Sequence, residues 1–394
     1  MNFIKWLQKF QIFQHHYRNP LEFYQSLIES STAMASVSGL GVLSKDFKIY
    51  NFNLICLNVV FVVYTIVCVS TLYEIHEDFD DLVYCLVTVG IGLQGVMKML
   101  TFVIYRKELV WTQEYTKSLY REEGKTHRNL LMNNLSILNV LTKLIATSYA
   151  TLSTLMVGTS FVLTILTGKK TLTFGFWIPF LDRNSWLGYL CNFVLQFCMT
   201  VFITSENMGN DIIYFMILLS SATQIELLTI KVQDIETRMV INDSNLHKYI
   251  KEIVKRHQEH LRFVRTVEKI YRNYFFVLFS TLGVTLVLVI YTIVTRFWLA
   301  GCIPFMFIIY DFFIFCFLPN FLEIKKDNLQ QEIYNTPWYR MSTGNRKLLQ
   351  LLLLAVQQPN CLTMIFYPLS MPSFADVLKI IYNISALLLT TRNR

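Results

Sequence analysis

The sequence predicts an all-α integral membrane protein of seven transmembrane helices, with a cytosolic N-terminus, an extracellular C-terminus and a helical anchor region in the cytosol. Three observations carry the prediction. The 394 residues are 54% hydrophobic and 16% charged, against about 25% charged in an ordinary soluble domain, and the mean hydropathy is +0.42. Apolar stretches approaching the ~20 residues needed to cross a bilayer recur along the chain. Lys and Arg crowd alternate loops: 26 of the 35 fall in loops placed inside, 6 in loops placed outside and 3 within spans, the bias that sets orientation.

The net charge of +8 does not imply a nucleic-acid partner. The basic residues are spread over alternating loops rather than gathered in a patch. They read as topology signals with some attraction to anionic inner-leaflet lipid.

Residues 1–48 are mixed and amphipathic, lack the apolar core of a cleavable signal peptide, and form a cytosolic segment. Residues 49–219 hold spans one to four. Leu54–Tyr73 carries no charge and makes the first. Glu74–Asp81 is acidic without Lys or Arg, so it lies outside. The second span runs from Leu82 to about Tyr105, its single Lys98 close enough to the inner end to snorkel. Arg106, Lys107, Lys117, Arg121, Lys125 and Arg128 mark the next loop as inner. The third span covers about 137–167, with Lys143 near its inner end. Gly168–Ser185, containing Trp177-Ile178-Pro179-Phe180, lies outside. The fourth helix starts near Trp186, passes Glu206 and Asp211, turns apolar again at Ile212–Leu219, and reads as one long helix leaving the membrane.

Residues 220–272 form a cytosolic helical loop. Leu246, Ile250, Ile253, His257, Leu261, Val264, Val267 and Tyr271 recur at steps of three or four, one stripe of an amphipathic helix. The stripe fits packing against its own chain or an anchor where subunits meet. Residues 273–322 hold spans five (Asn273–Thr295) and six (Leu299–Leu322), joined by a short outer turn at Arg296-Phe297-Trp298. Asp311, midway along the sixth, must face protein or water. The last hydrophobic segment is interrupted at Gln357-Gln358-Pro359. It reads as a helix broken in two: a half over about 337–357, within a cytosolic anchor at 323–358, and a membrane half at 371–391. Lys379, Asn383, Ser385 and Thr390 in that half suit a helix with one face on water.

The chemistry-bearing residues argue against an enzyme. No HExxH, GxSxG or Walker loop occurs, and no His pairs with Cys or carboxylates at metal-ligand spacing, so no metal or cofactor is expected. His257 and His260, one turn apart, read as a solvated pair. The eight Cys (56, 68, 85, 191, 198, 302, 316, 361) mostly fall in or beside spans, without a CxxC, and read as small apolar residues. The sequons at Asn134, Asn242 and Asn383 fall in inner loops or within a span, so none should carry sugar. A transporter, the alternative reading, would need a repeated acid pattern or matching broken spans, and neither is evident. A G-protein-coupled receptor would need the opposite orientation, and usually Asp-Arg-Tyr and Asn-Pro-x-x-Tyr motifs that this chain lacks.

The seven-span layout with an inner N-terminus, Trp177-Ile178-Pro179-Phe180, and the last ~60 residues resemble an insect odorant receptor. The specific matches are Ile333-Tyr334-Asn335-x-Pro337-Trp338-Tyr339, Arg346-Lys347-Leu348-Leu349, Gln357-x-Pro359, Ser370 with Phe374, and Phe374 through Leu389 with Tyr382. Ile381-Tyr382-Asn383 stands where the family usually has Ser-Tyr-Ser. The chain does not resemble the family's co-receptor, which has a much longer loop between spans four and five and ends Val-Gln-Leu-Lys. The Thr-Tyr…Gln-Phe ending of gustatory receptors is also absent.

The resemblance implies the odorant-binding subunit of a ligand-gated, non-selective cation channel in the plasma membrane of a sensory dendrite. Such a subunit joins an odorant co-receptor in a heterotetramer, and the last helices line one pore. It implies a gate at Leu387, with Thr390 one turn outward and Asn383 on the pore helix. It also implies a site for a small volatile apolar odorant in the outer half of the bundle. The candidate lining residues are Val83, Tyr84 and Val87 on span two; Tyr149, Ser153 and Met156 on three; Phe197 and Thr200 on four; and Leu286 and Tyr291 on five.

Overall fold

The computed structural model describes residues 17–77, 79–182, 185–296, 302–358, 362–365 and 367–392. The short turn expected at Arg296-Phe297-Trp298, the side chains of Arg392 and Arg394, and Pro359 and Cys361 lie outside what is described. The helices, in order, are α1 (Pro20–Ser36), α2 (Phe52–Glu74), α3 (Phe79–Ile104), α4 (Arg106–Glu123), α5 (Arg128–Thr167), α6 (Trp186–Val240), α7 (Leu246–Arg296), α8 (Cys302–Asn335), α9 (Thr343–Gln357) and α10 (Met371–Arg392). Seven of them, α2, α3, α5, α6, α7, α8 and α10, are long and apolar enough to cross a membrane. A two-stranded hairpin, Thr363–Met364 against Tyr367–Pro368, sits between α9 and α10.

The helix ends follow local chemistry. Asn19, Asn51 and Ser185 cap α1, α2 and α6, each side chain accepting a hydrogen bond from a first-turn backbone N–H. Pro20 opens α1, where its missing N–H costs nothing. Gly168 closes α5 in the left-handed region, at φ 68°.

The second half of α6 is the axis of the bundle. Residues 209–225 are buried without a break, which requires the helix to be enclosed on all sides. This explains why Ile212–Leu219 is apolar all round although the helix has already passed two acids. Part of that enclosure comes from α1, whose Phe23, Tyr24, Leu27, Ile28, Ser31 and Ala35 form one buried stripe. α1 comes so close that a Cβ added at Gly209 would stand 2.6 Å from the backbone nitrogen of Ala35. Gly90, Gly92 and Gly95 of α3 are likewise points of close approach, to Thr285, to the Tyr64 ring and to Phe61. Their Gly-x-Gly-x-x-Gly spacing sits inside a helix with no strand before it, so it serves packing rather than phosphate binding.

Several expectations are corrected. Lys98 does not snorkel: it is buried and paired with Asp211. His257 and His260 are buried rather than solvated. Burial lowers the ring pKa to about 4 at His257 and about 3 at His260, and the His260 Nδ1 lies 3.0 Å from Gln224 Oε1. For the amphipathic stripe, of the two readings left open, packing against its own chain is the one observed, with Ile250, Ile253, Val264, Val267 and Tyr271 all in the core. The stripe also continues directly into span five as the 51-residue α7; from Leu246 to Leu282 the chain has neither Gly nor Pro to stop it. Asn134 is not in a loop but on α5. Its side-chain amide donates to Thr223 (3.1 Å) and Glu226 (2.5 Å), so it is spent on packing.

Candidate functional site

The loop between α5 and α6 folds into the bundle rather than over it. A buried loop must find partners for its backbone, and two polar side chains of α6, one turn apart, supply them. Gln196 accepts from Phe174 N (3.0 Å) and donates to Phe176 O (2.9 Å), and Asn192 accepts from Ile178 N (2.7 Å). Trp177 is fixed to α2, its backbone N donating to Thr71 and its indole N to Glu74. Phe174 and Phe176 stack with ring centroids 5.7 Å apart.

Beneath that loop lies a cavity with about 770 Å³ of atom-free space, part of it open to the outside. Its walls come from α3 (Ile91, Gln94), α5 (Tyr149, Leu152, Ser153, Met156), α6 (Thr200, Ile203, Thr204, Asn207), α7 (Leu282, Thr285), α8 (Phe307, Ile308) and the loop residue Phe174. Tyr149 and Phe307 meet edge to face at 5.2 Å. The surface is mostly apolar, and several of its hydroxyls are already engaged. Ser153 and Thr204 bond each other at 2.7 Å, and Thr200 donates to Gln196 O. Such a chamber can hold a small apolar molecule by burial and dispersion.

A charged cluster adjoins the cavity. Lys98 Nζ donates to Asp211 Oδ1 at 2.6 Å and Asn207 Oδ1 at 2.8 Å. The Tyr149 hydroxyl donates to Asp211 Oδ2 at 2.6 Å and lies 3.0 Å from Asp311 Oδ1. Glu206 is also fully buried. Tyr149 and Asn207 thus belong to both the cavity wall and the cluster. Asp311, expected to face protein or water, faces protein.

At the end of the chain, α10 packs one face on α7 and α8. Ile381 and Ser385 are buried, with Phe374, Val377, Leu378 and Leu388 beside the core, and Phe374 meets Phe313 of α8 at 6.0 Å. Asn383, Leu387 and Thr390 lie away from that face, Leu387 64% exposed.

Residues 74–382 match the model of the family described as 7tm Odorant receptor. The chain belongs to this family. It is similar to putative odorant receptor 83c of Drosophila melanogaster, 22% identical over 396 residues, covering 94% of this chain and 98% of the relative. It also shares the fold of the olfactory receptor OR5 of Machilis hrabei. The match to that receptor's structure in complex with eugenol has a TM-score of 0.78 at 18% identity, covering 95% of this chain and all of the other. A second structure of OR5 gives 0.79, with the same identity and coverage. The protein is therefore an odorant receptor with seven helices embedded in a membrane, and not an enzyme.

Of the residues expected to hold the odorant, Tyr149, Ser153, Met156 and Thr200 line the receptor's cavity together. The others do not. Val83, Val87, Leu286 and Tyr291 are buried in helix packing. Phe197, 51% exposed, points outward. Tyr84 lines a neighbouring cleft with Lys170, Trp177 and Tyr189, its hydroxyl donating to Thr173 O. Phe174 borders both spaces. The sequence reading missed Phe174, Gln94, Thr204, Asn207 and Phe307. One signal was available: Asn192 and Gln196, two amides one turn apart in an otherwise apolar span, have to face protein.

Proposed function

We propose that this odorant receptor is the odorant-binding subunit of a ligand-gated, non-selective cation channel in the plasma membrane. It binds a small volatile apolar odorant in the cavity under the Phe174 loop and assembles with a co-receptor as a heterotetramer. The N-terminus lies in the cytosol and the C-terminus outside, in keeping with the Lys/Arg distribution. Residues 220–272 and 323–358 then lie in the cytosol as the anchor region, and 371–391 line the pore.

The observation that carries the reading is the cavity itself, an apolar chamber walled by five spans and roofed by an aromatic loop. Four of the residues chosen from sequence converge on it. Leu387 and Thr390 are the gate residues: a ring of Leu closes a pore by dewetting, and a ring of Thr hydroxyls helps hydrate a passing cation. Opening requires that the odorant bind the open bundle more tightly than the closed one, and tenfold corresponds to about 1.4 kcal/mol. Tyr149 and Asn207 couple the chamber to the Lys98–Asp211–Asp311 cluster. α8, which carries Asp311, reaches the pore helix through Phe313 and Phe374.

The test is whole-cell recording with a panel of volatiles. Current should appear only when the co-receptor is co-expressed, and Met156→Trp, which fills the chamber, should abolish it while surface expression persists. Undiminished responses from Met156→Trp would move the odorant site elsewhere.

A further inference from the structure

Gln94 stands out among the polar residues of the cavity wall. Ser153 and Thr204 satisfy each other, Thr200 is spent on a backbone carbonyl, Tyr149 on the buried aspartates, and the Asn207 oxygen on Lys98. The amide nitrogen of Gln94 is buried and has no acceptor among the described residues. A buried N–H without an acceptor is rarer in folded proteins than an under-used carbonyl oxygen, and leaving one unmet is costly. The amide plane turns about a broad terminal torsion, so the NH₂ can be presented to the chamber without moving α3. The rest of the lining, Ile91, Leu282, Phe307 and Met156 among it, is mostly apolar, with the Thr285 hydroxyl the other polar group on the α3 side.

We propose that Gln94 is the specificity-determining donor of this site, and that the preferred ligands are small apolar volatiles carrying one acceptor oxygen, such as a ketone or an ester, over hydrocarbons of the same shape. This rests on the cavity being the odorant site. The hydrocarbon body supplies affinity by burial. The single hydrogen bond supplies discrimination, because a hydrocarbon leaves the donor unmet in an apolar enclosure.

The experiment uses the full chain with the co-receptor and a panel of volatile ketones. Each is paired with the alkene in which a methylene replaces the carbonyl oxygen, as acetophenone is with α-methylstyrene. The wild type should respond to ketones at concentrations roughly three- to tenfold below those needed for the paired alkenes. Gln94→Met and Gln94→Leu should raise the ketone values by that factor, leave the alkene values unchanged or lower, and bring the ratio close to one. Surface expression should hold, because an apolar side chain of similar shape in place of an unpaired amide is close to neutral for folding.

A ketone-to-alkene ratio that survives both substitutions overturns the proposal, as does a wild type that shows no ketone preference. Loss of surface expression in both variants would also overturn it, by giving the amide a structural partner. Met156→Trp separates the two levels. If it silences the whole panel while the Gln94 variants keep the wild-type ratio, the donor role falls and the cavity stands. If it silences nothing, the cavity assignment falls first.

Discussion

Replacing Lys98 with Met would leave Asp211 buried without its counter-charge, and the structure allows the cost to be bounded. The Lys98 Nζ to Asp211 Oδ1 distance is 2.6 Å, with the two side chains 4% and 3% exposed. At an effective dielectric constant of about 20, the attraction at that distance is about 6 kcal/mol. Desolvating each ion costs several kcal/mol, so the intact pair is close to break-even. A single substitution removes the attraction and keeps the remaining ion's desolvation. Lys98→Met or Asp211→Leu should therefore each destabilise the fold by about 3–5 kcal/mol. The double substitution removes both ions and should recover most of that loss.

The assay is the thermal midpoint of the detergent-solubilised receptor, followed by fluorescence-detected size exclusion. At roughly 2 °C per kcal/mol for a chain of this size, each single variant should melt about 6–10 °C lower. The double variant should return to within a few degrees of wild type. Tyr149→Phe removes only the bridging hydroxyl and should cost about 1–3 kcal/mol. Single variants that melt with the wild type, or a double variant that loses the sum of both, would refute the paired-ion account of Lys98.

Three further outcomes are expected. Leu387→Ala should raise resting cation current in cells co-expressing the co-receptor; unchanged resting current together with an unchanged odorant response would count against the gate. His257 and His260 are held neutral by burial, with ring pKa values of about 4 and 3, below the ordinary 6.5. Their contribution is complete above pH 6.5 and is lost as pH falls toward 4, because the unfolded chain takes up protons first. At pH 5 the two together should cost the solubilised protein about 4 kcal/mol relative to pH 7. His260→Gln should flatten roughly half of that loss, and an identical acid profile for variant and wild type would show that other groups set it. Finally, Gly209→Val places carbon atoms where α1 already sits, with the first of them 2.6 Å from Ala35 N. Surface expression should fall sharply, whereas Gly158→Val, at a position with nothing within 4 Å, should be tolerated.

The spans were legible because crossing a bilayer demands a length and a composition that are read directly from the chain. α6 was foreseen as one helix through Glu206 and Asp211. The break before α10 was legible from Gln357-Gln358-Pro359. α1 was not foreseen as a docked helix, since its stripe of Phe23, Leu27 and Ile28 says that something is covered but not by what. Lys98 was misread for a similar reason. Its partner Asp211 lies on another helix, 113 residues away, and a lysine near a span end looks the same from sequence whether it snorkels or pairs.

Residue order alone determined the crossings and the family. Each follows from transfer free energies and motifs that act along the chain. Tertiary structure alone decided which way each helix is turned. Lipid tails are as apolar as leucine, so composition cannot tell Phe197, which points outward, from Thr200 one turn later, which faces the chamber. The Phe174 loop, the Tyr149 bridge and the unpaired Gln94 amide exist only once five helices have been rotated against one another and close packing has left a space between them.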